Sequence, residues 1–131
     1  MPERQTIGEL LEAARAGLQR LDPTAAHQAL LDGALLIDTR SADLRREMGV
    51  IPGSVHVPLS VLYWRLDPSS ESRDPQLSDL ERRVVLICAH GYSSSLAAAT
   101  LKQLGFAHAT DVVGGFEGWA SDGLPVEPMP A

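Results

Sequence analysis

The one cysteine of the chain, Cys88, closes a β-branched apolar run, Val84-Val85-Leu86-Ile87, and opens the segment Ala89-His90-Gly91-Tyr92-Ser93-Ser94-Ser95. A short apolar run of this kind reads as a buried parallel strand. From Ser94 the period changes to Leu96, Ala97, Ala98, Ala99, Leu101 and Leu104, a helix with Ser93 or Ser94 as N-cap and Gly105 just past its end. Cys88 is therefore predicted on a strand–loop–helix turn, at the edge of an α/β sheet where ligands collect. Backbone N–H groups of residues 89–94 and the positive end of a helix dipole converge there, which favours an anion, a thiolate included. The chemistry open to such a residue is nucleophilic attack by sulfur. The plainer role of a lone cysteine is as a small buried hydrophobe.

The flanking elements must hold that turn. Ile7, Leu10, Leu11, Ala14, Leu18 and Leu21 recur at helical spacing, so residues 6–20 read as an amphipathic helix packed on the domain or on a partner. Asp22 and Pro23 read as the N-cap and first residue of a helix that runs to Leu31 and stops at Gly33. Leu35-Leu36-Ile37 is the first clear strand, and Asp38 and Arg40 lie at its C-terminal end, the edge that also carries Cys88 in a parallel sheet. Arg40 is expected either to pair with Asp38, Asp43 or Glu47 or to support the site electrostatically. A short helix over residues 41–48 and a short strand around Val55-His56-Val57 follow, with His56 read as a structural histidine. Residues 60–66 form a helix whose Tyr63 and Trp64 belong to core or pocket wall, and residues 67–78 form a surface loop. A strand over residues 109–113 then turns through Gly114-Gly115 into a last short helix that carries Trp119 inward. Alternating helices and strands predict an α/β fold with a central, mostly parallel sheet of about five strands flanked by helices.

With 131 residues, 44% hydrophobic and 21% charged, the chain suits one globular domain and no tandem pair. A net charge of −6 and the absence of a basic run speak against nucleic acid. No stretch approaches about 18 consecutive apolar residues, so no membrane association is expected and the protein is placed in the cytoplasm. His27, His56, His90 and His108 show no ligand spacing, and neither a metal nor a cofactor is expected. Between Arg83 and Asp111 the only charged side chain is Lys102, so anion binding at the loop is expected to rest on backbone dipoles.

Cys88-Ala89-His90-Gly91-Tyr92-Ser93 resembles the active-site loop of single-domain rhodaneses, the thiosulfate and persulfide sulfurtransferases whose loop reads Cys-x-His-Gly-x-Ser. Three further segments match that family in order. Ile37-Asp38-Thr39-Arg40 resembles its Asp-x-Arg strand end, and residues 49–58 resemble its Gly-His-Ile-Pro-Gly-Ala…Pro segment. Residues 114–126 resemble its Gly-Gly-x-x-x-Trp…Gly-x-Pro-Val tail. Together they cover residues 22–128 and divide the chain into an N-terminal helical extension, 1–21, and a rhodanese-like domain, 22–131.

The resemblance implies a sulfurtransferase in which Cys88 takes a sulfane sulfur from thiosulfate or a persulfide, holds it as a persulfide and passes it to a thiol or cyanide. Ala89, His90, Gly91, Tyr92, Ser93 and Ser94 would bind the transferred group, with Asp38 and Arg40 in support. Implied partners are small sulfur donors, thiol acceptors and a thioredoxin-like or sulfur-relay protein. The commoner family loop has Arg where this chain has Ser93. Two other classes compete: a non-catalytic binding module of the same fold, and a cysteine-dependent phosphatase or arsenate reductase. The latter uses Cys-x5-Arg, whereas position 94 here is serine.

Overall fold

The two apolar runs that end in Asp38 and Cys88 form the central pair of strands in a computed structural model that describes residues 3–130. β1 (Leu35–Asp38) and β3 (Val84–Ile87) run parallel, with Leu35 beside Val84 and Asp38 beside Ile87. β2 (Val55–His56) pairs with the outer side of β1 and β4 (Ala109–Asp111) with the outer side of β3, giving a parallel order β2-β1-β3-β4. The chain leaves β1 in one direction and returns to β3 in the other. The C-terminal ends of these two strands therefore mark the switch point at which open α/β sheets bind ligands.

Side chains alternate across the sheet and build two apolar layers. Leu35, Ile37, Val84 and Leu86 pack against Leu62, Leu66, Leu101 and Phe106, which brings α4 (Leu62–Leu66) and α5 (Ser93–Gln103) onto one face. Leu36, Val85 and Ile87 pack against Ala26, Ala29, Phe116 and Trp119, which brings α2 (Pro23–Leu31) and α6 (Gly115–Ser121) onto the other. Tyr63 borders the first layer, while Trp64 is exposed. His56 donates from Nε2 to the Arg40 carbonyl at 2.8 Å, a satisfied structural histidine.

The sheet has four strands rather than the expected five or so, and Leu21 shows why. It makes a single parallel bridge to Val112, its N–H donating to the Asp111 carbonyl at 3.0 Å. Asp22 then accepts from the Ala25 N–H at 2.7 Å and Pro23 opens α2, so no residue remains to lengthen a strand. The first helix is also shorter than expected. α1 (Ile7–Ala16) starts at a Thr6–Glu9 capping box and ends at Gly17, four residues before its apolar period runs out. α1 lies along α5, and Lys102 Nζ donates to the Gly17 carbonyl at 2.9 Å. Thr110 Oγ1 donates to the Gln19 carbonyl at 2.9 Å, which fixes residues 17–21 beside β4.

At the end of β1, Arg40 donates from Nε and Nη2 to the Asp38 carboxylate at 3.0 and 2.8 Å and from Nη2 to the Gly49 carbonyl at 2.8 Å. Its guanidinium stacks 3.8 Å from the Phe116 ring centroid. Both side chains are 1% exposed, and without Arg40 the Asp38 carboxylate keeps, among the described residues, only Arg45 Nε, at 3.3 Å, as a side-chain donor, a loss of about 3 kcal/mol. Arg40→Ala is expected to lower Tm by roughly 10 °C, while turnover of the folded fraction stays near wild type. Lysine should not restore Tm, because it offers neither the bidentate fork nor the flat stacking face. An unchanged melting curve with strongly reduced turnover would instead place Arg40 in the chemistry.

Candidate active site

β3 delivers Cys88 to its C-terminal end, where the residue is 6% exposed. The chain then turns sharply at Gly91, whose φ of 84° lies in the left-handed region. That turn points the Gly91 N–H at Cys88 Sγ, 3.1 Å away. Cys88 Sγ–H donates to Ser94 Oγ at 3.2 Å. Behind the loop, the Phe116 and Glu117 N–H groups at the start of α6 donate to the Cys88 and Ala89 carbonyls at 2.8 and 3.1 Å. Burial pushes the Cys88 thiol up, but hydrogen bonds from the Ser94 and Ser93 hydroxyls and from the Ser94 and Gly91 N–H groups outweigh it. The thiol lies below its ordinary value.

The serines do not cap α5 as expected. Tyr92 occupies the N-cap position without a side-chain bond, and the helix begins at Ser93. The hydroxyls are used laterally instead. Ser94 Oγ and Ser95 Oγ donate to Asp111 Oδ2 at 2.8 and 2.7 Å. Asp111, fully buried at the end of β4, also accepts from Arg20 Nε and Nη2 at 2.8 and 3.2 Å. Arg20 Nη2 and Arg15 Nη2 donate to the Gly91 carbonyl at 3.0 and 2.8 Å, and Arg15 Nε donates to Ser95 Oγ at 3.1 Å. Two guanidinium groups from residues 15–20 therefore brace the loop from behind, bonded to the Gly91 carbonyl, Ser95 and Asp111. Bonds to the Gly91 carbonyl polarise the peptide whose N–H belongs to Tyr92, making it a stronger donor.

Among the loop residues named from sequence, Cys88, Gly91 and Ser94 are buried together and Ala89 and Ser93 are half-buried. His90 is 64% exposed and pairs from Nδ1 with Glu117 Oε2 at 2.7 Å on the outer surface. Tyr92 is exposed, with the Arg15 guanidinium 5.5 Å from its ring centroid. Asp38 and Arg40 form the buried pair at the neighbouring strand end, with Arg40 Nε and Nη2 turned to Asp38 and Gly49 and Arg40 Nη1 buried without a hydrogen-bond partner among the described residues. An apolar recess of about 480 Å³ lies beside the loop between α1 and Tyr92, Ser93 and Leu96. A larger cleft, about 740 Å³, opens among Arg83, His108 and Ala109 at the opposite edge of the sheet, away from the cysteine. Among the described residues no cluster of three or more His, Cys, Asp or Glu side chains could hold a metal ion. No helix there is long and apolar enough to cross a membrane.

Sequence reasoning missed Arg15, Arg20, Ser95 and Asp111. The available signal was Asp111 itself, a charge inside a buried strand, which demands a partner.

Residues 22–122 match the rhodanese-like domain family. The chain belongs to that family. This rhodanese-like protein is 37% identical over 101 residues to the thiosulfate sulfurtransferase GlpE of Pseudomonas savastanoi pv. phaseolicola, covering 77% of the chain and 86% of the relative. It is 35% identical over 103 residues to the Pseudomonas aeruginosa GlpE, covering 79% and 84%. Such relatives make it a sulfurtransferase of the rhodanese type. Among solved structures, a Rhodopseudomonas palustris protein of unknown function, described as a possible tyrosine phosphatase, superposes with a TM-score of 0.87 at 28% identity, covering 97% of the chain and 99% of that protein. The polysulfide-sulfur transferase homodimer of Wolinella succinogenes gives a TM-score of 0.68 at 28% identity, covering 89% and 83%. The rhodanese-like match begins at residue 22, so Arg15 and Arg20 lie outside it.

Proposed function

We propose that Cys88 is the sulfur carrier. Its thiolate attacks the outer sulfur of thiosulfate, the S–S bond breaks, and sulfite leaves with the bonding pair. A persulfide donor would react in the same way, with a thiolate as leaving group. An acceptor thiolate or cyanide then attacks the terminal sulfur of the Cys88 persulfide and releases the Cys88 thiolate. The supporting observation is the cradle itself: the Gly91 N–H and the Ser94 hydroxyl sit 3.1 and 3.2 Å from Sγ. These donors and the neighbouring N–H groups favour an anionic sulfur and would hold the transferred atom. Residues 89–94 form the binding loop in this reading, and Asp38 and Arg40 hold the adjacent strand end. Residues 6–21 act as an extension that braces the domain. A lone thiol that must stay reduced suits the cytoplasm, with a thioredoxin-like or sulfur-relay protein as acceptor.

The phosphatase chemistry suggested for the Rhodopseudomonas palustris protein fits this loop poorly. Where Cys-x5-Arg places a guanidinium, Ser94 is held between Cys88 and the buried carboxylate of Asp111. A phosphoryl group would meet a negative charge there without a cationic fork. Brief exposure to thiosulfate, followed by intact-mass measurement, separates the classes. The sulfurtransferase reading predicts a gain of one sulfur atom on Cys88, lost again on addition of cyanide. A chain that gains no sulfur but hydrolyses an aryl phosphate would reverse the assignment.

A further inference from the structure

Ser94 Oγ stands between two acceptors, Cys88 Sγ at 3.2 Å and Asp111 Oδ2 at 2.8 Å, and has one proton to give. With the thiol protonated, the chain of donors runs from Sγ–H to Ser94 Oγ and from Ser94 Oγ–H to the carboxylate. Once Cys88 is a thiolate, the Ser94 proton must turn toward sulfur. Asp111 can release it, because Ser95 Oγ at 2.7 Å and the two-pronged bond from Arg20 at 2.8 and 3.2 Å remain. We infer that Asp111, charge-matched by Arg20, is a positioning residue that competes with the cysteine for the Ser94 proton and so sets the acidity of Cys88. The inference rests on the reading of Cys88 as the sulfur carrier.

The charges around the cysteine make the sign definite. Asp111 comes from β4, and Arg15 and Arg20 come from the segment beside it. His90 and Glu117 pair with each other at the surface. Asp38 is paired with Arg40 and Arg45 at the end of β1. Lys102 is bonded to the Gly17 carbonyl. Among the described residues, only the Arg20–Asp111 pair reaches Cys88 through a hydroxyl that the sulfur itself contacts. Asp111 raises the cost of the thiolate, as a negative charge and by holding the Ser94 proton, and Arg20 offsets the first of these effects. Such opposition suits a sulfur carrier. Cys88 attacks in one step and departs in the next, and a thiol titrating near ambient pH balances nucleophilicity against leaving ability.

The test is the rate of Cys88 alkylation by iodoacetamide against pH, with the full chain. Asp111→Asn should move the inflection down by about one unit, because a negative charge is lost and Arg20 is left unmatched. Arg20→Gln should move it up by about one unit, because the carboxylate is left unmatched, while Arg20→Lys should return it toward wild type. In a Ser94→Ala background the Asp111→Asn shift should shrink to less than half. Should Asp111→Asn fail to fold, the Arg20 pair of variants decides, since Arg20 lies near the surface at 16% side-chain exposure. Shifts of the same sign in Asp111→Asn and Arg20→Gln, or no shift in Arg20→Gln, would overturn the inference and leave the cluster as a structural brace. Failure of the sulfur-carrier reading shows elsewhere, as a wild-type chain that takes up no sulfur from thiosulfate.

Discussion

Cys88→Ser is expected to reduce thiosulfate-to-cyanide sulfur transfer roughly 10⁴-fold or more, the size of loss seen when an enzyme is stripped of its nucleophile. Serine fits the volume and can still accept from the Gly91 N–H and donate to Ser94, so the fold and Tm near neutral pH should change little. What disappears is an accessible anion, because no set of donors brings an alkanol into the neutral range. Thiocyanate formation, intact mass after thiosulfate and a melting curve form the measurement. Turnover at the wild-type rate in the serine variant would remove Cys88 from the reaction. The wild-type alkylation rate should rise with pH through an inflection below the free-cysteine value of about 8.5, since donors around Sγ hold the thiol down. Linkage gives a second sign. A group whose folded pKa is depressed adds stability that is fully present above its unfolded value of about 8.5 and is lost as pH falls through the folded one. The serine variant should therefore lack a small increment of stability that the wild type gains at alkaline pH.

The parts of this site that are local in sequence were legible. A four-residue apolar run, a glycine and a helical period are each short patterns with one physical reading, so the placing of Cys88 between β3 and α5 needed no tertiary information. The Arg40–Asp38 pair was legible for the same reason, two residues apart at a strand end. The N-cap is not legible locally, because three consecutive serines satisfy the local rule at more than one position. Tertiary partners decided the matter: Asp111 takes the Ser94 and Ser95 protons, and the helix starts after Tyr92 without a side-chain cap. The sheet stops at four strands rather than about five because Leu21, read from its spacing as helical, makes only one bridge to Val112 before Asp22 and Pro23 commit the chain to α2.

Charges near the loop were illegible for a different reason. Arg15 reaches Gly91 across 76 positions and Arg20 reaches Asp111 across 91, and no periodicity links residues so far apart. Between Arg83 and Asp111 the sequence offers only Lys102, which closes the end of α1 instead of the loop. The family resemblance could not help, since its motifs start after both arginines. A buried aspartate in a parallel strand was the one clue, because burial of a charge without a partner costs several kcal/mol and a folded chain must supply one.

Gly115→Ala should cut sulfur transfer about 100-fold while leaving the protein folded, the scale expected when reacting groups are displaced by about 1 Å. Gly115 has φ 60°, and a Cβ there would stand 2.5 Å from the Cys88 carbonyl oxygen, 2.7 Å from the Gly91 nitrogen and 2.8 Å from the His90 nitrogen. All three are backbone atoms of the reactive loop, so no side chain can swing aside. The loop cannot retreat freely either, because the Phe116 and Glu117 N–H groups hold the Cys88 and Ala89 carbonyls at 2.8 and 3.1 Å. Relief must come from moving the loop, which takes the Gly91 N–H off Sγ. Gly123→Ala supplies the control: φ there is 74° and a Cβ would meet nothing within 4 Å. Both variants carry the same left-handed strain, about 1–2 kcal/mol, and Gly115→Ala should lose more Tm than Gly123→Ala by the cost of displacing the loop while remaining folded. Only Gly115→Ala should lose turnover and show a Cys88 alkylation inflection raised toward that of a free thiol. Equal turnover in the two would mean that the Gly114-Gly115 turn stabilises α6 and does not set the geometry of the sulfur cradle.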